Sequence, residues 1–341
     1  FSTITRRPFA QLAAAILCTT TALGQPASAP VVALRTSPSE KFTVNPGFRD
    51  WAPSVISGTT IVAGNSSNRG GLYAIDTVSG KLKWTSRPMG LPGNPSVATL
   101  PAVAGDLVIA PMANTLVAVS LNTGKEAWRG PKTAIGAAAA AAAGTAFVLG
   151  DDRIFHAVDA ITGRTKWTLP FGKSGSCAAV PVIQDGIVYV SAAIMTTAAD
   201  ANRAASYYTH VFAIDAATGK ERWRYPAAPI AGNNIGVCLT QPIVSGTTLF
   251  GTAESTLHAV DLATGKSRWT VEVRRPVEGR VRAVEVGGLV DAGPVLVGMT
   301  SGYLIAFDKA TGHTAWEVKG QYRTNNPSTA VAGKVLYFQG H

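Results

Sequence analysis

Apolar residues along this chain alternate with polar ones in short runs, and the runs come in pairs divided by turn residues. Leu72-Tyr73-Ala74-Ile75 and Leu257-His258-Ala259-Val260 are two such runs. Pro101-Ala102-Val103-Ala104-Gly105-Asp106-Leu107-Val108-Ile109 and Pro181-Val182-Ile183-Gln184-Asp185-Gly186-Ile187-Val188-Tyr189-Val190 read as complete hairpins. Alternation with period two, bounded by Gly, Asp and Pro, marks half-buried strands, whereas a helix repeats its apolar positions every three to four residues. The pattern therefore predicts an all-β protein.

The strands are organised by a repeat, A-x-[D/S]-x-x-[T/S]-G-x-x-x-W, which occurs six times and ends at Trp84, Trp128, Trp167, Trp223, Trp269 and Trp316. Successive tryptophans are 44, 39, 56, 46 and 47 residues apart, the period of a four-stranded propeller blade. Within a copy, the Asp and Thr side chains can bond their own turn, Gly supplies positive φ, and the chain reverses into a strand carrying Trp. With the second hairpin upstream, each repeat makes four antiparallel strands, here called A to D. One indole per blade, packed between neighbours, would pin each sheet to the next.

Residues 328–339 match strands A and B of a further blade. Residues 31–42 read like strand C, a turn and strand D, with Phe42 near the Trp position. The expectation is a β-propeller of seven blades closed by N- and C-terminal strands; the alternative is a truncated eight-bladed ring. Closure would leave no free sheet edge.

Composition adds an address and a charge. Arg6-Arg7 precede an apolar run at 12–23, and Ala27-Ser28-Ala29 has the A-x-A form of a cleavage site, so 1–29 reads as an export signal and 30–341 as the propeller domain. The paired arginines fit a twin-arginine signal, and a general secretory signal is the alternative. The expected location is periplasmic or secreted, with no transmembrane segment, since the run is shorter than the roughly 20 residues a span needs. The net charge of +10 favours anionic partners. The basic residues are scattered and no nucleic-acid motif is present, so no nucleic acid is expected.

These repeats resemble the tryptophan-docking repeats of the pyrroloquinoline-quinone (PQQ) propeller superfamily, over residues 53–340. That superfamily holds quinoprotein alcohol and glucose dehydrogenases and also cofactor-free propellers such as BamB. The resemblance implies either a binding scaffold in the cell envelope or a PQQ- and Ca²⁺-dependent dehydrogenase. The dehydrogenases typically carry a vicinal Cys-Cys ring over the cofactor; this chain has three cysteines and no adjacent pair. The expectation is a monomeric, non-catalytic scaffold without cofactor or metal, bound to an envelope protein or anionic ligand.

Candidate site residues follow from the loops. Insertions at 193–209 (strands B to C of blade four) and 272–290 (between blades five and six) fall on the face of the D–A and B–C connections. The second carries Arg274, Arg275, Arg280 and Arg282, and Arg49 and Trp51 are placed on the same face. Loops on a rigid scaffold are common binding sites, and solvated arginines are the plainer alternative. Cys177 and Cys238 each lie four residues before the Pro that opens a strand A, which predicts a disulfide across blades four and five, with two free thiols as the alternative. Trp51, Tyr207, Tyr208 and Tyr322 would have to converge for a carbohydrate-binding role. His156 and His258 share the strand-C position of Tyr73 and Phe212 and read as packing or surface residues. His210, His313 and His341 have no metal-ligand spacing. The alanine-rich run 134–146 is expected to form a tightly packed inner strand of blade three.

Overall fold

The computed structural model describes residues 13–17, 35–36, 51–65, 70–87, 89–90, 97, 99–133, 137–150, 152–171, 180–197, 206–230, 236–239, 242–277, 280–300, 302–320, 329–332 and 335–339. Among them every regular element is a strand, and the strands form seven four-stranded sheets and one two-stranded ribbon. The chain sorts into two compact units, 41–249 with 260–267, and 1–40 with 250–259 and 268–341.

The repeat predicts the blades well. Blade two is Ala102–Ala104, Leu107–Met112, Thr115–Ser120 and Glu126–Lys132, antiparallel throughout. Blade one runs from Trp51–Ser57 to Leu82–Ser86, blade three from Ala140–Ala142 to Thr165–Pro170, and blade four from Val182–Gln184 to Glu221–Tyr225. Blade five runs from Ile243–Ser245 to Ser267–Glu272, and blade six from Gly287–Ala292 to Thr314–Lys319. In the first unit, strand A of each blade lies beside strand A of the next, from blade one through blade five. Strand A is therefore the inner strand and strand D the outer one, as in a propeller.

Tryptophan docking joins successive blades. The indole N–H of Trp84 donates to Leu121 O at 2.8 Å, Trp128 to Ala160 O at 3.1 Å, Trp167 to Ala216 O at 2.9 Å, Trp223 to Leu262 O at 2.8 Å and Trp269 to Lys309 O at 3.0 Å. Each acceptor is the residue after the repeat's Asp or Ser, in the C–D turn of the next blade. The acceptor, ring and turn glycine thus form one joint per seam, which satisfies the indole donor while burying the ring. Trp84 shares a core with Val108, Ala110, Val117 and Val119 of blade two, and Trp128 with Ala139, Ala146, Val148 and Val158 of blade three.

The C–D turn is held by its own side chains. Asp159 Oδ1 accepts the backbone N–H of Ile161 (3.1 Å) and Thr162 (2.9 Å) and the Thr162 hydroxyl (2.9 Å), and Asp261 and Asp308 repeat the arrangement. Such donors favour the carboxylate: Asp76 and Asp159 are held below the usual range, and Asp215, bonded first by Arg222 and then by Thr218, falls to about 2.

The alanine run forms the expected inner strand only in part, since 143–144 turn, 145–146 begin strand B and 134–136 lie outside the described residues. Ala137, Ala138 and Ala139 are buried and Ala140–Ala142 is strand A of blade three. Small side chains leave the space that the Trp128 ring fills.

The seventh sheet takes strands from both ends of the chain, in the order Thr329–Ala332, Val335–Gln339, Ala13–Leu17, Arg35–Thr36. Its third strand differs from the expectation. Ala13–Leu17 pairs residue for residue with Val335–Gln339, so the slot assigned from sequence to residues 31–34 is filled by part of the apolar run at 12–23. A strand slot beside Val335–Gln339 needs five β-competent residues in register. The run Ala13-Ala14-Ala15-Ile16-Leu17 supplies them, whereas Arg35–Thr36 makes only a two-residue edge. Residues 31–34 and Phe42 lie outside the described residues.

Candidate functional site

The insertion between blades five and six is not an irregular loop but a β-ribbon. Arg274–Val277 pairs with Arg280–Ala283 in the register Arg274↔Ala283, Arg275↔Arg282, Pro276↔Val281 and Val277↔Arg280. The signal for it in the sequence is the alternation Arg-Val-Arg-Ala after a two-residue Glu278-Gly279 spacer, which a reading of the segment as a loop passes over.

The ribbon is seated at its base. Val273 is buried and its N–H donates to Ser255 O at 2.8 Å, while Val284 N–H donates to Val273 O at 2.9 Å. Arg275 is the anchor: its guanidinium donates to Thr314 Oγ1 at 2.9 Å and pairs with Glu317 at 2.9 Å, both on strand D of blade six. Only 15% of the Arg275 side chain is exposed, which sets it apart from its three neighbours. Arg274 is exposed and ion-paired to Glu272 at 2.7 Å. Arg280 and Arg282 are exposed and make no ion pair among the described residues.

Directly paired residues share a face and neighbours alternate. Arg275, Arg280 and Arg282 therefore occupy one face, and Arg274, Pro276, Val281 and Ala283 the other. Pro276 and Ala283 are exposed, as is Val281, at 64%. The four arginines expected to act together are thus on one element, but in different roles: Arg275 holds the ribbon down and Arg280 and Arg282 are available.

The other expected residues fall elsewhere. Arg49 lies outside the described residues. Trp51 is the first residue of strand A of blade one, opposite Asn65, in the other compact unit from the ribbon. Cys177 is outside the described residues. Cys238 is disulfide-bonded, its partner also lying outside them. Cys238 sits between buried Val237 and Leu239, and Ser191 Oγ both donates to Leu239 O (3.1 Å) and accepts Leu239 N–H (3.0 Å). That clamps the segment to blade four. The insertion 193–209 lengthens a hairpin there, between Ile187–Thr197 and Ser206–Asp215.

Tyr208 is not a loop-face aromatic. It is 3% exposed, its hydroxyl accepting Ile230 N–H at 2.8 Å, because its strand position faces inward. It cannot stack on a sugar. The side chain of Tyr207, and Tyr322 altogether, lie outside the described residues.

His156, His210 and His258 are buried in strands, so the packing half of the expectation for His156 and His258 holds. His210 Nδ1 lies 2.7 Å from Pro226 O, and His156 Nε2 lies 3.2 Å from both oxygens of Asp152. Burial pushes the His258 pKa down to about 4. The unfolded chain then takes up the proton first as pH falls below 6.5, so stability is full above that value and lost towards pH 4. The loss expected at pH 4 is about 3 kcal/mol. Urea midpoints at pH 7.5, 5.5 and 4 should show it, and His258→Phe, which copies Phe212 of blade four, should flatten the slope. An unchanged slope would discard the assignment.

Among the described residues no three His, Cys, Asp or Glu side chains come together in a way that could hold a metal ion. The repeat aspartates Asp76, Asp159, Asp215, Asp261 and Asp308 each accept hydrogen bonds within their own turns. Among the described residues these aspartates are committed to their turns rather than gathered around a calcium-bound quinone. No helix among these residues is long and apolar enough to cross a membrane.

Comparison with known proteins agrees with the sheets. A family described as outer membrane protein assembly factor BamB matches residues 32–134 and 113–341. Among solved structures, BamB from Moraxella catarrhalis superposes with a TM-score of 0.59 at 17% identity, over 83% of this chain and 82% of that one. Quinohemoprotein alcohol dehydrogenase from Comamonas testosteroni gives 0.54 at 15% identity, over 84% and 69%. At such identities the likeness is one of fold, a propeller, here of seven blades. Serine/threonine-protein kinase AfsK of Streptomyces griseus is 31% identical over 116 residues, 24% of this chain and 14% of that protein's length.

Proposed function

The chain belongs to the family described as outer membrane protein assembly factor BamB, and from that premise we propose that it is an exported, non-catalytic scaffold binding an acidic protein partner in the cell envelope. The observation that carries the reading is the ribbon: a pre-ordered, seated element presenting Arg280 and Arg282 to solvent without ion-pair partners among the described residues. A cation pair on a rigid support favours acidic surfaces by steering and by charge complementarity, and ordering costs little because the ribbon is already folded.

In this reading residues 1–29 direct export, so that Ala13–Leu17 fills the closing sheet only before the signal is cleaved; the protein works in the periplasm or outside the cell as a monomer, and Cys238 bonds to Cys177. Arg49 and Trp51 stay candidate contacts for an anionic partner. The rival reading, a PQQ- and Ca²⁺-dependent dehydrogenase, is disfavoured by the donor set and by the lack of adjacent cysteines.

The test is binding of the exported, unreduced protein to a polyglutamate chain, followed by fluorescence polarisation across a salt series. Wild type should bind in a salt-dependent way, and the double variant Arg280→Glu/Arg282→Glu should lose tenfold or more, about 1.4 kcal/mol. The same mature sample, unfolded without reductant, should expose no thiol to alkylation. Equal binding by the variant, or turnover of alcohols or sugars after addition of PQQ and Ca²⁺, would overturn the proposal.

A further inference from the structure

The ribbon's backbone says how such a partner would dock. In an antiparallel pair, mutually bonded residue pairs alternate with pairs whose N–H and C=O groups point outward. Val284 N–H donates to Val273 O, which fixes the phase. Counting by two from that bond, Arg275/Arg282 and Val277/Arg280 are the bonded pairs, and Arg274/Ala283 and Pro276/Val281 are the outward ones. The phase agrees with Pro276, which has no N–H to give and sits where none is needed.

The two edges are therefore unequal. On the Arg274–Val277 edge the outward position at Pro276 lacks its donor, which blunts it against strand pairing. On the Arg280–Ala283 edge, Val281 and Ala283 turn both N–H and C=O outward, every residue is exposed, and no backbone bond to either is made among the described residues. That edge is a free strand template. Side chains flanking it differ by face: Arg280 and Arg282 on one, Val281 and Ala283 with Pro276 and the ion-paired Arg274 on the other.

We propose that the Arg280–Ala283 edge accepts an extended segment of a partner protein by strand addition, and that the segment alternates acidic with apolar residues. Alternate side chains of an added strand fall on opposite faces, so the acidic set meets Arg280 and Arg282 and the apolar set covers Val281 and Ala283. Backbone bonds at Val281 and Ala283 supply affinity and the two faces set register. This rests on the acidic-partner reading above and specifies its geometry.

The experiment uses the whole protein and a blocked synthetic peptide of alternating Asp and Val, together with the same peptide N-methylated at alternate amides. Amide hydrogen exchange is followed residue by residue. The expected result is that the plain peptide slows exchange at Val281 and Ala283 at least tenfold, leaves Arg280 and Arg282 unchanged because the ribbon already bonds them, and loses at least tenfold in affinity on N-methylation. Val281→Pro, which removes one outward donor without touching a ribbon bond, should weaken binding comparably. Salt-sensitive binding that is abolished by Arg280→Glu/Arg282→Glu but indifferent to N-methylation would overturn strand addition and leave the acidic-partner reading standing. Binding that ignores the charge reversal would overturn the acidic register. No binding at all would sink both.

Discussion

Replacing Trp128 by alanine should destabilise the protein by about 3–5 kcal/mol, the range for deleting a buried aromatic side chain. Trp128 is 8% exposed and its indole N–H donates to Ala160 O at 3.1 Å. The ring packs with Ala139, Ala146, Val148 and Val158 of blade three. Alanine would leave a cavity walled largely by alanines, whose short side chains cannot move in to fill it, and a carbonyl without its donor. The upper part of the range is therefore expected. Urea denaturation would measure the loss, and hydrogen exchange would place it in blades two and three first. A change under about 1 kcal/mol would mean that the joint does not hold the seam.

Gly163→Ala should act on the same joint from the other side, at about 2–5 kcal/mol, the sum of a conformational and a steric cost. Gly163 has φ +71°, a region that costs an L-residue about 1–2 kcal/mol. A β-carbon there would lie 2.6 Å from Trp128 Cε3 and 2.8 Å from Cδ2, well inside contact distance, adding an overpacking cost of about 1–3 kcal/mol. Gly144 separates the two causes: its φ is +70° but a β-carbon at that position would meet nothing within 4 Å, so Gly144→Ala should show the conformational cost alone. In a Trp128→Ala background the steric part of Gly163→Ala should vanish, giving a coupling of about 1–3 kcal/mol. Additive effects at Gly163 and Trp128 would refute the idea that turn glycine and indole form one contact.

The repeat is legible because each of its residues does a local job as well as a tertiary one. The Asp and Thr of residues 159–163 close a turn, the Gly takes positive φ, and Trp167 follows at fixed distance, so the spacing survives in the sequence. The ribbon is only half legible. Its arginines stand out as a charged insertion, but their different roles do not, because nothing in Arg274-Arg275 says which guanidinium meets Glu317. Tyr208 looks available in the sequence for the same reason: a long hairpin does not reveal there which side of it is covered.

By itself the sequence determined the strand class, the blade period and the place of each docking tryptophan, since these depend on alternation, turn chemistry and fixed offsets along the chain. Tertiary structure alone decided which segment fills the third strand of the closing sheet, which arginine anchors and which are available, and which ribbon edge is open. Those outcomes turn on partners distant in sequence: Val335–Gln339 for Ala13–Leu17, Thr314 and Glu317 for Arg275, Val273 for the phase of the ribbon's bonds. A local pattern carries no information about what lies across a seam.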